Sequence, residues 1–262
     1  MAGEDMTQSI HHAAATGYQS NADHYVKGRP GYPAEIADWL RNDIGLQAGK
    51  TVIDLGAGTG KFTPRLLDSG AEVIAVEPIA PMLDRLAAAL PQVKTLAATT
   101  DALPLADESV DAVVCAQSFH WFATPQALAE IQRILKPGGK LGLVWNSRDA
   151  RVSWVRKLNQ IVDRYQGDAP RFYTGEWRRL FPGKGFAPLH EQAFMFGHHG
   201  AVEDVLYNRV RSTSFIAALP QAQQEQVIEQ VRQLVAQQEE LHGQEKITVP
   251  YQTKAFVTHK LG

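Results

Sequence analysis

Thr51-Val-Ile-Asp-Leu-Gly-Ala-Gly-Thr-Gly-Lys-Phe62 decides how this chain reads. Val52 and Ile53 open a short apolar run of the kind a buried parallel strand needs. Gly56, Gly58 and Gly60 follow as a turn in which backbone can approach a ligand closely, because no Cβ intervenes. Lys61 to Asp68 reads as a helix, so its free N–H groups and positive dipole end point at whatever lies over the turn. Strand, glycine turn and helix in this order make a ligand cradle. The spacing excludes two common versions of it. A dinucleotide loop, Gly-x-Gly-x-x-Gly, needs glycine where Lys61 stands. A phosphate loop needs glycine at Leu55 and a hydroxyl residue at Phe62.

What remains is Asp-x-Gly-x-Gly-x-Gly with Asp54 at the strand end. This resembles motif I of the class I S-adenosylmethionine (SAM) methyltransferases. Glu77 stands 21 positions after Gly56, near the distance at which an acid meets a ribose diol, and its carboxylate can accept from both hydroxyls.

At 262 residues and 28.8 kDa, the chain has the length of one large α/β domain with a small cover. The net charge of −2 and pI near 6.5 leave no electrostatic footprint for nucleic acid or an anionic membrane. Cys115 is the single cysteine, which excludes a disulfide framework and suggests a reducing compartment. No apolar run approaches the ~20 residues of a membrane span. Glu4 and Asp5 with no apolar core argue against a signal peptide, and the expectation is a cytoplasmic protein. His11-His12 lack ligand partners at useful spacing, so no metal is expected.

Along the chain, a short helical stretch from Asn21 is broken by Pro30 and Pro33, and a helix then runs to about Leu46 with Ile36, Leu40 and Ile44 on one face. Strands are expected at Glu72–Val76, Val93–Ala97, Asp111–Ala116 and Lys140–Trp145. Helices are expected at Met82–Leu90 and Pro125–Leu135, the latter stopped by Pro137-Gly138-Gly139. Such alternation predicts a Rossmann-like α/β fold: a seven-stranded, mainly parallel sheet with helices on both faces and the ligand beyond the strands' carboxyl ends. Glu77, Gln117 to Trp121 and Asn146 fall at such ends. Arg151 to Leu180 reads as two helices joined through Gly167 to Pro170. Ala187–Phe196 reads as a strand, His198-His199 as a loop, Ala201–Ile216 and Gln221–Leu241 as helices, and Ile247–Val257 as the last strand, antiparallel. The expectation is a single domain: N-terminal lid helices over 1–46, a SAM-binding core over 51–146, and a helical substrate cover with closing strands over 147–262.

The closer resemblance is to the trans-aconitate methyltransferase-like branch, which esterifies small carboxylic acids. Tyr25, Arg29-Pro30 and Tyr32-Pro33 carry it, with His120-Trp121-Phe122 and Val210-Arg211-Ser212-Thr213-Ser214, although Thr213 stands where the branch has Trp. The resemblance implies a SAM site built from Tyr25 and Arg29, the turn residues Asp54, Gly56, Ala57, Gly58, Thr59, Gly60 and Phe62, and Glu77, Pro78 and Met82. Gln117 and Ser118 complete it, with adenine contacted by Thr99, Thr100 or Asp101. It also implies His120 and Arg211 as the groups that orient a carboxylate, against apolar walls of Phe119, Trp121 and Trp145. A carboxylate already carries its charge and needs no base, whereas a phenol would use His120 as one. Three readings stand: esterification of a small acid, C- or O-methylation of a quinone or phenol, and a SAM-binding protein without catalysis. The expected partner is a small molecule, without nucleic acid or membrane.

Overall fold

The computed structural model describes residues 29–168, 170–183 and 185–262. Tyr25, His11, His12 and the helical stretch expected from Asn21 lie outside them, save its Arg29–Pro33 end, which is not helical.

Seven strands form one sheet: β1 (Thr51–Leu55), β2 (Glu72–Val76), β3 (Lys94–Leu96), β4 (Val110–Ala116), β5 (Leu135–Arg148), β6 (His190–Ala201) and β7 (Lys246–His259), in the order β3-β2-β1-β4-β5-β7-β6. β1 to β5 are parallel, and β7 runs antiparallel to both β5 and β6. Strand order reverses between β1 and β4, where open α/β sheets bind ligands.

The side-chain alternation of the strands builds two layers. On one face, Ile53, Leu55, Val113, Cys115 and Leu143 pack with α4 (Pro125–Ile134) and with Trp177 and Phe186. On the other, Val52, Val73, Ala112, Val114 and Val144 meet α1 (Ile36–Trp39, continued by a π-turn to Ile44), Leu66 of α2 (Thr63–Leu67) and Leu86 of α3 (Ala80–Ala89). Burial on both faces explains why Val52 and Ile53 of β1 and Ala112 to Ala116 of β4 are apolar without alternation. A third cluster forms the cover: α5 (Ser153–Asp163), the helical turns Glu203–Asn208 and Arg209–Arg211 (α6), α7 (Ser214–Ala217) and α8 (Gln221–Gln237) close on Ile247, Val249 and Tyr251 of β7. Among the described residues no helix is long and apolar enough to cross a membrane.

Three expectations are corrected. The second helix expected before Leu180 is two 3-10 turns, Phe172–Thr174 and Glu176–Leu180, separated by Gly175 in the left-handed region (φ 74°). His198 and His199 are not in a loop: β6 runs through them, paired with Val249 and Thr248. The helix expected over Ala201–Ile216 breaks where Thr213 turns extended (ψ 125°), and this break starts α7.

Candidate active site

Backbone hydrogen bonds fold the glycine turn over β2, since Gly56 N–H and Ala57 N–H both donate to Val76 O, at 2.8 and 3.1 Å. Gly56 sits at φ 71°, and a Cβ there would lie 2.6 Å from Ser118 Cβ. Ser118 Oγ in turn donates to Leu55 O at 2.7 Å, stitching the end of β4 to the end of β1. Gly60 serves packing, because a Cβ there would meet Leu86 of α3 at 2.9 Å.

Two buried acids stand beneath the turn. Glu77, 5% exposed, accepts Gly58 N–H on Oε2 at 2.9 Å and Ile79 N–H on Oε1 at 3.0 Å. Burial pushes its pKa up, and the two backbone bonds oppose the rise. Asp54 accepts Thr63 Oγ1 on Oδ2 at 2.7 Å, while its buried Oδ1 has no hydrogen-bond partner. Burial raises its pKa to about 7; Thr63 opposes the rise and the charge of Glu77 adds to it.

A cleft of about 310 Å³ opens above these groups. It brings together Arg29, Asp54, Gly56, Ala57, Gly58, Phe62, Glu77, Pro78, Met82, Thr99, Thr100, Asp101, Gln117, Ser118 and Trp121 from the residues expected by sequence. Gln117 holds a strained left-handed conformation (φ 63°) at the end of β4, with its N–H on Val144 O at 2.8 Å. Residues 29–32 are tied across the cleft. Asn146 Nδ2 donates to Gly31 O at 2.8 Å, Arg29 Nη2 donates to Ser212 O at 3.2 Å, and Tyr32 meets the Phe62 ring edge-on at 4.7 Å.

Six residues expected at the site do not line the cleft: Thr59, Gly60, Phe119, His120, Trp145 and Arg211. Phe119 is fully buried among Phe122, Trp177 and Phe181, so it packs the core. Trp145, 1% exposed, packs against Phe172, Trp177 and Phe256. Arg211 points away, paired with Glu203 at 2.6 Å and with Asn208 Oδ1 at 3.0 Å. His120 lies on a second cavity of about 500 Å³, which shares Trp121 and Thr124 with the cleft.

Arg209 and Tyr251 line the cleft in place of Arg211. Among the described residues Arg209 Nη1 reaches only the hydroxyls of Thr213 and Ser212, at 3.2 and 3.5 Å, and its buried Nε has no partner. Arg148 Nη1 and the Tyr251 hydroxyl are likewise buried without partners. Arg148 and Tyr251 are register neighbours on β5 and β7. Loss of solvent pulls the Arg209 pKa down to about 10; Tyr251 opposes the fall, and the charges of Arg29, Arg148 and Arg171 deepen it. Among the described residues no carboxylate forms an ion pair with Arg209 or Arg148. Arg209 stands only two positions from the residue singled out in sequence, but no motif marks it. Tyr251 lies in a β-rich run with no signal beyond strand alternation.

Known proteins agree with this architecture. The profile of a methyltransferase domain matches residues 53–143. An uncharacterised methyltransferase-like protein of Schizosaccharomyces pombe is 43% identical over 244 residues, covering 93% of this chain and 95% of that one. An uncharacterised methyltransferase of Mycobacterium tuberculosis is 41% identical over 229 residues, or 87% and 89% of the two chains. The crystal structure of the YcgJ protein of Bacillus subtilis superposes with a TM-score of 0.57 at 18% identity, over 86% of this chain and 98% of the other. At that identity the likeness speaks for the fold alone. Identity above 40% over nearly the whole length, to proteins described as methyltransferases, decides the family: this chain belongs to the class I SAM-dependent methyltransferases.

Proposed function

We propose that the enzyme methylates a carboxylate oxygen of a small organic acid, with SAM in the cleft over the glycine turn and the acid beside Arg209. The cleft residues suit the donor. Each oxygen of Glu77 takes one backbone N–H and keeps a second lone pair for a diol. Asp54 Oδ1 is a buried polar atom without a hydrogen-bond partner among the described residues, and Ile79, Met82 and Ala98 offer an apolar wall for a flat ring. When bound, SAM supplies an electrophilic methyl group whose bond to sulfur breaks as the acid's oxygen takes the carbon.

The acceptor class rests on one observation: among the described residues, unpartnered polar atoms of Arg209 and Tyr251 on the cleft wall, with Arg148 beside Tyr251 in register, have no carboxylate to answer them. Buried donors without acceptors are costly, and crowded cations more so. An anionic ligand would satisfy both. Arg209 stays cationic at neutral pH, so it can hold the acid in line with the methyl carbon while the cover keeps water out. A carboxylate so held needs no proton removed.

Release of S-adenosylhomocysteine across a set of small acids and phenols tests this reading. Acids should support turnover and phenols should not. Arg209→Lys should retain more of the acid activity than Arg209→Ala. Turnover confined to phenols would overturn the assignment.

A further inference from the structure

The indole N–H of Trp145 is clamped. Phe172 stacks on the ring at 4.7 Å, Trp177 lies at 4.6 Å and Phe256 at 5.8 Å, so the ring cannot swing its N–H toward another partner. That N–H ends on His120 Nδ1 at 3.0 Å. An indole nitrogen only donates, so Nδ1 is the acceptor and the proton of the neutral imidazole sits on Nε2. A second ring proton would have to enter on Nδ1 and would break the bond to Trp145. Nε2 has no hydrogen-bond partner among the described residues, and His120 borders the cavity of about 500 Å³ together with Trp121, Gln166, Arg171 and Trp177. Trp121 and Thr124 belong to the walls of both this cavity and the cofactor cleft.

We propose that this second cavity takes the far end of the methyl acceptor, that His120 is a fixed neutral donor whose Nε2–H binds an oxygen of that molecule, and that Trp145 is the residue that positions it. Placing the acceptor there rests on the reading of the cleft given above, while the tautomer does not. Of the charges around the ring, Arg171 and Arg29 oppose a positive imidazole, whereas Asp168 and Glu176 on the cavity rim would favour one. Burial and the two arginines prevail, pulling the His120 pKa down to about 3. The same balance keeps His120 neutral near pH 7, and Nδ1, the one site that could take a second proton, is already occupied by the Trp145 N–H.

Long-range proton–nitrogen NMR of the ¹⁵N-labelled chain tests the assignment without any acceptor, with the His120 signals identified by their loss in His120→Gln. The expected pattern is a neutral Nε2–H imidazole that does not change from about pH 5 to 9. A proton on Nδ1, or a titration near the ordinary value of about 6.5, would overturn the proposal. Trp145→Phe should release Nδ1 and mix the two tautomers; if that variant does not fold, the wild-type spectrum decides alone. With the best acceptor, His120→Ala should raise KM about tenfold and leave SAM affinity unchanged. His120→Gln, which keeps an N–H donor, should recover part of that loss. A collapse of kcat in both variants at unchanged KM would make His120 a base and overturn its role as donor, even if the acid reading of the cleft survived.

Discussion

Glu77 Oε2 accepts the Gly58 backbone N–H at 2.9 Å, so the acid at the end of β2 and the middle of the glycine turn form one unit although 19 residues separate them. The same carboxylate holds Ile79 N–H at 3.0 Å, at the head of α3. Glu77 therefore shapes the cradle as well as offering it charge. Glu77→Ala should weaken SAM binding by ~1.5–3 kcal/mol in a titration calorimeter. It should also lower the melting temperature, because two backbone donors lose their acceptor. Unchanged affinity in a folded variant would remove Glu77 from the cofactor site.

Asp54 gives stability a pH signature. Its carboxyl, raised to about 7 by burial, holds a proton more tightly in the folded chain than in the unfolded one. Stability contributed by this group is therefore present below about pH 4 and lost as pH rises toward 7. Asp54→Asn cannot lose that proton. Urea unfolding at pH 5 and pH 8 should show the variant gaining on the wild type at the higher pH, by an amount on the order of 1–3 kcal/mol. A gap that does not change with pH would contradict a neutral buried Asp54.

Gly56 tolerates no side chain. At φ 71°, where an added Cβ would lie 2.6 Å from Ser118 Cβ, Gly56→Ala must strain the turn and displace the end of β4. A loss of ~1–3 kcal/mol in stability and a weaker grip on SAM are expected, read by denaturation and calorimetry on one preparation. Gly138→Ala, also at positive φ but with nothing within 4 Å, should cost less and spare SAM binding.

Arg209 and Arg211 should separate cleanly. Arg209→Ala removes the cation in the cleft wall and should raise KM for the acid about ten- to a hundredfold with SAM affinity nearly intact. Arg211→Ala breaks a partly exposed pair with Glu203, worth about 0–1 kcal/mol, and should leave KM within about twofold. Steady-state kinetics of both variants on one acceptor decides the matter.

The parts of the molecule legible in sequence were those with a single physical solution. A strand buried on both faces is mostly apolar, so Val52-Ile53 of β1 and Ala112 to Ala116 of β4 stand out in the sequence, and the spacing from Gly56 points to Glu77, which the structure sets beneath the turn. An edge strand is less constrained, and Gly197, His198, His199 and Gly200 therefore look like a loop while pairing with β7. Phe172 and Trp177 look helical, yet Gly175 turns the chain left-handed between them and both rings join the cluster around Trp145. Two residues apart on a helix means roughly 200° around its axis, so Arg211 meets Glu203 while Arg209 lines the cleft, a difference that no motif in the sequence marks. Trp145 was expected as a pocket wall; its burial and its bond to His120 make it support behind one.

Tracing the transferred methyl group tests the central claim most directly. With ¹³C-methyl SAM and the best acid from the set, NMR of the product should show the label in a methyl ester that base hydrolysis releases as methanol. Label in an aryl ether, an N-methyl or a C-methyl group, or no transfer to any acid while another acceptor class turns over, would contradict a carboxylate held by Arg209.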